Sequence, residues 1–120
     1  MSFLTCELGN LFFLYRESTA ANFVKIHRLL KSKINIIHDN DDSNFVYLQD
    51  STSKKYLYCN FDDPDNKIYV GDNMMKFELI KIIINDIELL SFKHKNQFLY
   101  ANSMINHLTL DDNKTDFILQ

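Results

Sequence analysis

Histidines 27, 38, 94 and 107, Cys6, Cys59 and the adjacent aspartates Asp41-Asp42, Asp62-Asp63 and Asp111-Asp112 are the residues best equipped for metal binding or catalysis. Zinc sites take histidines spaced to share one face, and these four have no such spacing. The reading is therefore turn or strand-end histidines without a metal. Paired carboxylates could serve as general acid and base or hold Ca²⁺. Here each pair lies in a run of Asn, Asp and Ser, where consecutive aspartates cap turns through local hydrogen bonds. Gly9 and Gly71 are the two glycines, too few for a phosphate-cradling loop or a strained nucleophile elbow. Both cysteines sit in alternating apolar segments and read as small buried hydrophobes rather than redox groups. The expectation is a protein without catalysis, cofactor or metal.

The elements that carry these residues repeat along the chain. Three segments share an aromatic-Leu-Tyr centre: Asn10-Leu-Phe-Phe-Leu-Tyr15, Lys54-Lys-Tyr-Leu-Tyr58 and Asn96-Gln-Phe-Leu-Tyr100. Their Leu-Tyr pairs are spaced 43 and 42 residues apart. An apolar run precedes each centre: Phe3 to Leu8, Phe45 to Leu48 and Ile87 to Phe92. An alternating run follows each: Phe23-Val-Lys-Ile26, Lys67-Ile-Tyr-Val70 and His107-Leu-Thr-Leu110. Each unit closes with one more: Ile34 to Ile37, Phe77 to Ile80 and Phe117 to Leu119. The runs are short, β-branched or aromatic, and parted by turn clusters such as Asp39 to Asn44 and Phe61 to Asn66, the latter holding Pro64. Lys81 to Ile84 has a helical alternative, but its isoleucines favour strand. Repetition at a fixed period predicts one all-β domain over residues 1–120, a β-trefoil of twelve short strands in three pseudo-repeats of about 42 residues. Six strands would form a barrel and three hairpins would cap one end, which removes most exposed edges.

Composition narrows the partners. The chain is 46% hydrophobic, enough for a core and too much for disorder. A net charge of −3 without a basic block disfavours nucleic acid and anionic membranes. No apolar run approaches the ~18 residues of a membrane span, and no secretory segment is visible near the start. The absence of Trp excludes the Q-x-W motifs of sugar-binding trefoils, and the dispersed lysines lack the heparin patch of growth-factor trefoils.

Several motifs, in order, resemble the interleukin-1 family. Phe3-Leu-Thr-Cys-Glu-Leu8 is similar to that family's first strand, S-L-N-C-T-L, and Lys54-Lys-Tyr-Leu-Tyr-Cys-Asn60 to N-L-Y-L-S-C. Phe77-Glu-Leu-Ile-Lys-Ile-Ile-Ile-Asn-Asp86 resembles F-x-F-x-K-I-E-I-N-N. Leu90-Ser-Phe-Lys-His-Lys-Asn-Gln-Phe-Leu-Tyr-Ala101 resembles the block F-E-S-x-x-x-P-x-W-Y-I-S, and Thr115-Asp-Phe-Ile-Leu-Gln120 the ending T-D-F-x-x-Q. The departures are Lys93-His94 in place of E-S, the loss of the Pro and aromatic around Lys95 to Gln97, and short connections at Val70 to Lys76 and Asp111 to Lys114.

The resemblance implies a monomeric ligand of an interleukin-1-family receptor ectodomain that modulates inflammatory signalling, released without a signal peptide and cytoplasmic before release. By position it implicates Arg16, Glu17, Lys25, His27 and Arg28 in primary receptor binding. It implicates Asp116, with Lys114 beside it, in the accessory-receptor contact. The family's agonists carry an acidic residue at the position of Asp116 and its antagonist a Lys. Whether this chain activates or blocks is left open, as is a purely structural role for Asp116. Asn113-Lys-Thr115 is a glycosylation sequon. Composition and trimmed loops further motivate a viral homologue. The alternative is an intracellular trefoil module that binds a cytosolic or cytoskeletal partner, which free thiols fit equally well.

Overall fold

Runs in which Ile, Val, Leu, Phe and Tyr alternate with polar residues fold as strands, and no helix occurs among the described residues. The computed structural model describes residues 4–7, 11–16, 23–27 and 31–119, with side chains at 4–5, 23–27 and 31–119. Its strands are β1 (Leu4–Glu7), β2 (Leu11–Arg16), β3 (Val24–His27), β4 (Ile34–His38), β5 (Phe45–Asp50) and β6 (Tyr56–Cys59). They continue with β7 (Ile68–Gly71), β8 (Phe77–Ile84), β9 (Ile87–His94), β10 (Gln97–Asn102), β11 (His107–Asp111) and β12 (Phe117–Leu119). The segment Lys81 to Ile84 belongs to the single strand β8.

All pairings among the described residues are antiparallel, and they recur in each third of the chain. The first strand pairs the second and the second pairs the third, as in β1–β2–β3, β5–β6–β7 and β9–β10–β11. Each first strand also pairs the last strand of another third, as β1–β12, β5–β4 and β9–β8, and β5–β8 and β9–β12 link the rest. The order β4-β5-β8-β9-β12-β1 is a nearly closed, barrel-like ring; a β1–β4 junction is not among the described pairings.

Side-chain period fixes what faces the core. In the third strand of each hairpin, Val24, Ile68 and Leu108 are buried, and two residues on Ile26, Val70 and Leu110 are buried as well. Phe77 and Phe117 open the closing strands and are fully buried, as is Ile34 in the matching place. Leu57 and Leu99, the Leu of the repeated Leu-Tyr pair, are likewise sealed off. The Phe92 and Phe117 rings pack 5.9 Å apart between β9 and β12.

The third strands β3, β7 and β11 meet one another in a cycle. Phe23 pairs with Tyr69, Lys67 with Thr109, and His107 with Lys25. These six residues occupy the first and third places of the three alternating runs, so the same bridge is made around the triangle. Two more bonds obey the rule: Ile26 N–H donates to the Asn106 carbonyl at 3.2 Å and Leu110 N–H to the Asn66 carbonyl at 2.9 Å. Asn66 and Asn106 hold left-handed backbone (φ 51° and 57°), a conformation asparagine tolerates better than most residues. At the centre of the triangle the Phe23 ring stands 4.8 Å from Tyr69 and edge-on to His107 at 4.9 Å, with Lys67 Nζ 5.2 Å from its centroid.

Candidate interaction surface

The aspartate pairs serve turns. Asp42, Asp63 and Asp111 each accept a backbone N–H two residues on, from Asn44, Asp65 and Asn113, at 2.8–3.0 Å. The four histidines all stand at strand ends. The Nδ1 of His38 meets the Ser43 carbonyl at 2.8 Å and the Nδ1 of His94 meets the Lys76 carbonyl at 3.1 Å. A carbonyl only accepts, so in both rings Nδ1 carries the proton and Nε2 remains for another partner. Among the described residues, no three His, Cys, Asp or Glu side chains gather as metal ligands. Cys59 is buried and unpaired to another cysteine; burial, then the charge of Asp63, pushes its thiol up to about 11, far from a reactive thiolate. The side chain of Cys6 lies outside the described residues.

Of the residues implicated in receptor contact, Glu17 and Arg28 lie outside the described residues, as does the Arg16 side chain at the end of β2. Lys25 and His27 project from β3 on the side opposite the buried Val24 and Ile26, beside the hairpin triangle, with Lys25 opposite His107. Lys114 and Asp116 occupy the β11–β12 connection, where Lys114 Nζ and Asp116 Oδ1 lie 3.5 Å apart, both substantially exposed. The flanking Thr115 and Phe117 are buried, so the chain alternation presents Asp116 outward. An exposed pair of this kind is worth little to stability and is available for exchange with a partner's charge. The two groups stand on different elements, and no described contact joins them.

The structure adds a surface that the sequence did not single out. Two adjacent hollows of about 330 and 300 Å³ share His94 and Lys95 as a common ridge. The first is lined by Phe45, Lys76, Glu78, Lys93, His94 and Lys95, the second by Phe61, His94, Lys95, Asn96 and Gln97. Phe61 leaves 59% of its surface exposed and its ring lies 6.1 Å from that of His94, which also packs against Phe77 at 6.3 Å. Phe61 belongs to the β6–β7 loop, and that loop is closely tied. Asp62 N–H donates to Asn60 Oδ1 at 3.1 Å, and Asp63 and Asn66 N–H donate to the Asn60 and Asp63 carbonyls at 3.0 Å. Tyr69 hydroxyl donates to Asp63 Oδ2 at 2.8 Å and anchors the loop to β7. Lys76 pairs with Asp39 at 3.3 Å, a hydrogen bond that holds its ammonium above the usual lysine range. Lys93 Nζ lies 5.8 Å from the centre of the Phe98 ring.

One signal for this surface was present in the sequence: Phe61 is an aromatic inside a run of Asn, Asp and Pro that has no apolar face to bury. The other was Lys93-His94, noted only as a departure from a resemblance. The chain matches no known protein family, no curated protein and no solved structure in the three comparisons made.

Proposed function

We propose that this chain is a β-trefoil that acts as a non-catalytic ligand of an interleukin-1-type receptor ectodomain. The fold reading is supported by the cycle of bridges Phe23–Tyr69, Lys67–Thr109 and His107–Lys25, since three equivalent hairpins that meet around an axis produce such a cycle. The recurrence of first-to-second and second-to-third strand pairing in every third of the chain supports it too.

For function, the observation that carries the reading is the T-D-F ending. Thr115 and Phe117 turn inward and Asp116 turns outward beside Lys114, so the residue the resemblance assigns to the accessory contact is the displayed one. Binding by rim and loop residues suits a surface whose hollows stand at the low end of the ~300–1,000 Å³ typical of small-molecule sites. Lys25 and His27 would join the primary contact, as charges that steer and select more than they hold.

The test is binding of the folded protein to immobilised interleukin-1-family receptor ectodomains near physiological salt, where weak charge attraction is screened. Saturable binding to one member with Kd below about 1 μM supports the reading. No binding across the panel, from a sample shown to be folded, overturns it.

A further inference from the structure

The ridge of His94 and Lys95 stands on different elements from those that hold Lys25, His27 and Asp116. Three lysines, 76, 93 and 95, converge on it in a protein whose net charge is −3. Among the described residues Glu78, opposite Lys93 across the β8–β9 ladder, is the acidic side chain in these walls, and Asp39, with the charge of Asp41 behind it, acts on Lys76 from beside them. Lys95 is exposed at the β9–β10 turn and makes no described ion pair. Next to this positive ground stands Phe61, more than half exposed on a loop that its own hydrogen bonds already hold in place. Holding an aromatic still in water before any partner arrives lowers the ordering cost of binding. Aromatic anchors beside charged groups are the usual centres of protein interfaces.

We propose that the two hollows bind an acidic peptide segment of a partner protein. One of its carboxylates sits on the Lys93 and Lys95 ammonium groups, a backbone N–H of the segment donates to Nε2 of His94, and a neighbouring apolar side chain lies on Phe61. The Asn96 and Gln97 amides in the second hollow meet the backbone of that segment. Each hollow has room for a side chain, and the ridge between them spaces two neighbouring side chains apart. The observations favour a peptide over other anions. A polynucleotide needs a long basic track to neutralise its phosphates, and the excess negative charge of the chain opposes one. A membrane surface needs a broader basic face than three lysines flanked by Glu78 and Asp39 provide.

The experiment is an amide chemical-shift titration of the isotope-labelled chain with the capped peptide Glu-Asp-Phe-Asp-Glu. Parallel titrations use Gln-Asn-Phe-Asn-Gln, Glu-Asp-Ala-Asp-Glu, anionic phosphatidylserine vesicles and polyuridylate. The expected result is saturable shifts at Phe61, Lys76 and Lys93 to Gln97 with the first peptide. Kd rises about tenfold for the uncharged peptide, for the Ala peptide, and for Phe61→Ala and Lys95→Glu, as loss of an anchor or a charge pair gives. Lys55→Glu, at an ion pair with Asp72 outside both linings, leaves Kd unchanged. All three altered side chains are exposed, and dispersed spectra of the variants verify that they fold. Absence of saturable shifts with the acidic peptide overturns the proposal. So does a shift map elsewhere, equal binding of the uncharged peptide, or saturable binding of vesicles or polyuridylate alone. A negative result here leaves the receptor panel untouched, because the two surfaces use different residues.

Discussion

The hydroxyl of buried Thr115 accepts the backbone N–H of Ala101 at 2.9 Å, and Thr115 N–H in return donates to the Leu99 carbonyl at 3.2 Å. The same place in the preceding third of the chain is filled by Met75, whose Sδ lies 3.2 Å from the N–H of Cys59. Both acceptors sit two residues before a fully buried Phe that opens a closing strand, Phe117 and Phe77. The second strands β6 and β10 therefore each carry an inward N–H that a strand ladder cannot reach and a side chain must satisfy. A threonine oxygen does this better than a thioether, a weak acceptor.

Thr115→Val removes the acceptor while keeping the shape, and the Ala101 N–H is then buried without a partner. The expected loss is about 1–3 kcal/mol of unfolding free energy. Thr115→Ser retains the oxygen and is expected to lose less, chiefly from the missing methyl. Urea denaturation of the two variants against wild type checks this, and equal stability of Thr115→Val and wild type would count against the account.

Much of this fold could be read from spacing because the core demands it. The Leu-Tyr period of 42–43 residues, the alternation of Val24 with Ile26, Ile68 with Val70 and Leu108 with Leu110, and the buried Phe77 and Phe117 are all consequences of side chains that must face inward. The Asp pairs were legible as turn caps for the same local reason. Surface geometry was not legible. Phe61 reaches His94 across more than thirty residues of chain, and nothing local to either residue encodes that meeting. Nor did the apolar run Ile82-Ile83-Ile84 announce that it leaves the barrel, since burial by distant strands is a tertiary matter.

That run forms a projecting ribbon. The pairs Ile82–Leu89 and Ile84–Ile87 share one face across a turn at Asn85 and Asp86, both with positive φ as a tight hairpin requires. β5 pairs β8 at Phe77 and Glu78, and Leu79 N–H donates to the Asn44 carbonyl at 2.8 Å, so among the described residues the outer edge is open beyond Leu79. Ile83 is 69% exposed on the other face. Open apolar edges invite strand addition between copies. Ile82→Thr with Ile84→Lys is expected to raise the concentration at which light scattering begins on gentle heating. Surface changes of this kind leave unfolding free energy within about 0.5 kcal/mol per site. An unmoved scattering threshold would locate the aggregation-prone segment elsewhere.

The Asp63–Tyr69 bond gives stability a pH signature at both ends. Burial acts to raise the Asp63 carboxyl. The Asp65 N–H, the Tyr69 hydroxyl and the charges of Lys67 and His107 outweigh it and hold the group below the usual carboxylate range. A depressed folded value means stability that is present above the unfolded pKa of ~3.9 and lost as pH falls through the folded one. For Tyr69 the bond to Asp63, then burial, pushes the phenol up to about 12. Its contribution is fully present below the ordinary ~10 and lost as pH rises toward the folded value. Asp63→Asn is expected to flatten the acid limb of a Tm-versus-pH curve. Tyr69→Phe should remove a late-ionising phenol from an alkaline absorbance titration. Superimposable acid limbs or an unchanged late phenol would each refute the corresponding half.

Asp116 offers the sharpest functional prediction, because its pairing is too weak to make it structural. At substantial exposure the Lys114–Asp116 pair contributes on the order of 0–1 kcal/mol, so reversing the charge in Asp116→Lys leaves the fold intact. Phe117 and Thr115 on either side keep the backbone in place. If the outward carboxylate recruits an accessory receptor, the variant binds its primary receptor as wild type does and signals at least tenfold less in receptor-bearing cells, about 1.4 kcal/mol of lost recruitment. Lys114→Glu in the same assay separates the carboxylate from its partner. Recruitment that falls with this variant too places Lys114 in the accessory contact, and unchanged recruitment assigns the contact to Asp116 alone. Undiminished signalling by a folded, receptor-binding Asp116→Lys protein would remove Asp116 from the interface and leave it as a turn residue before β12.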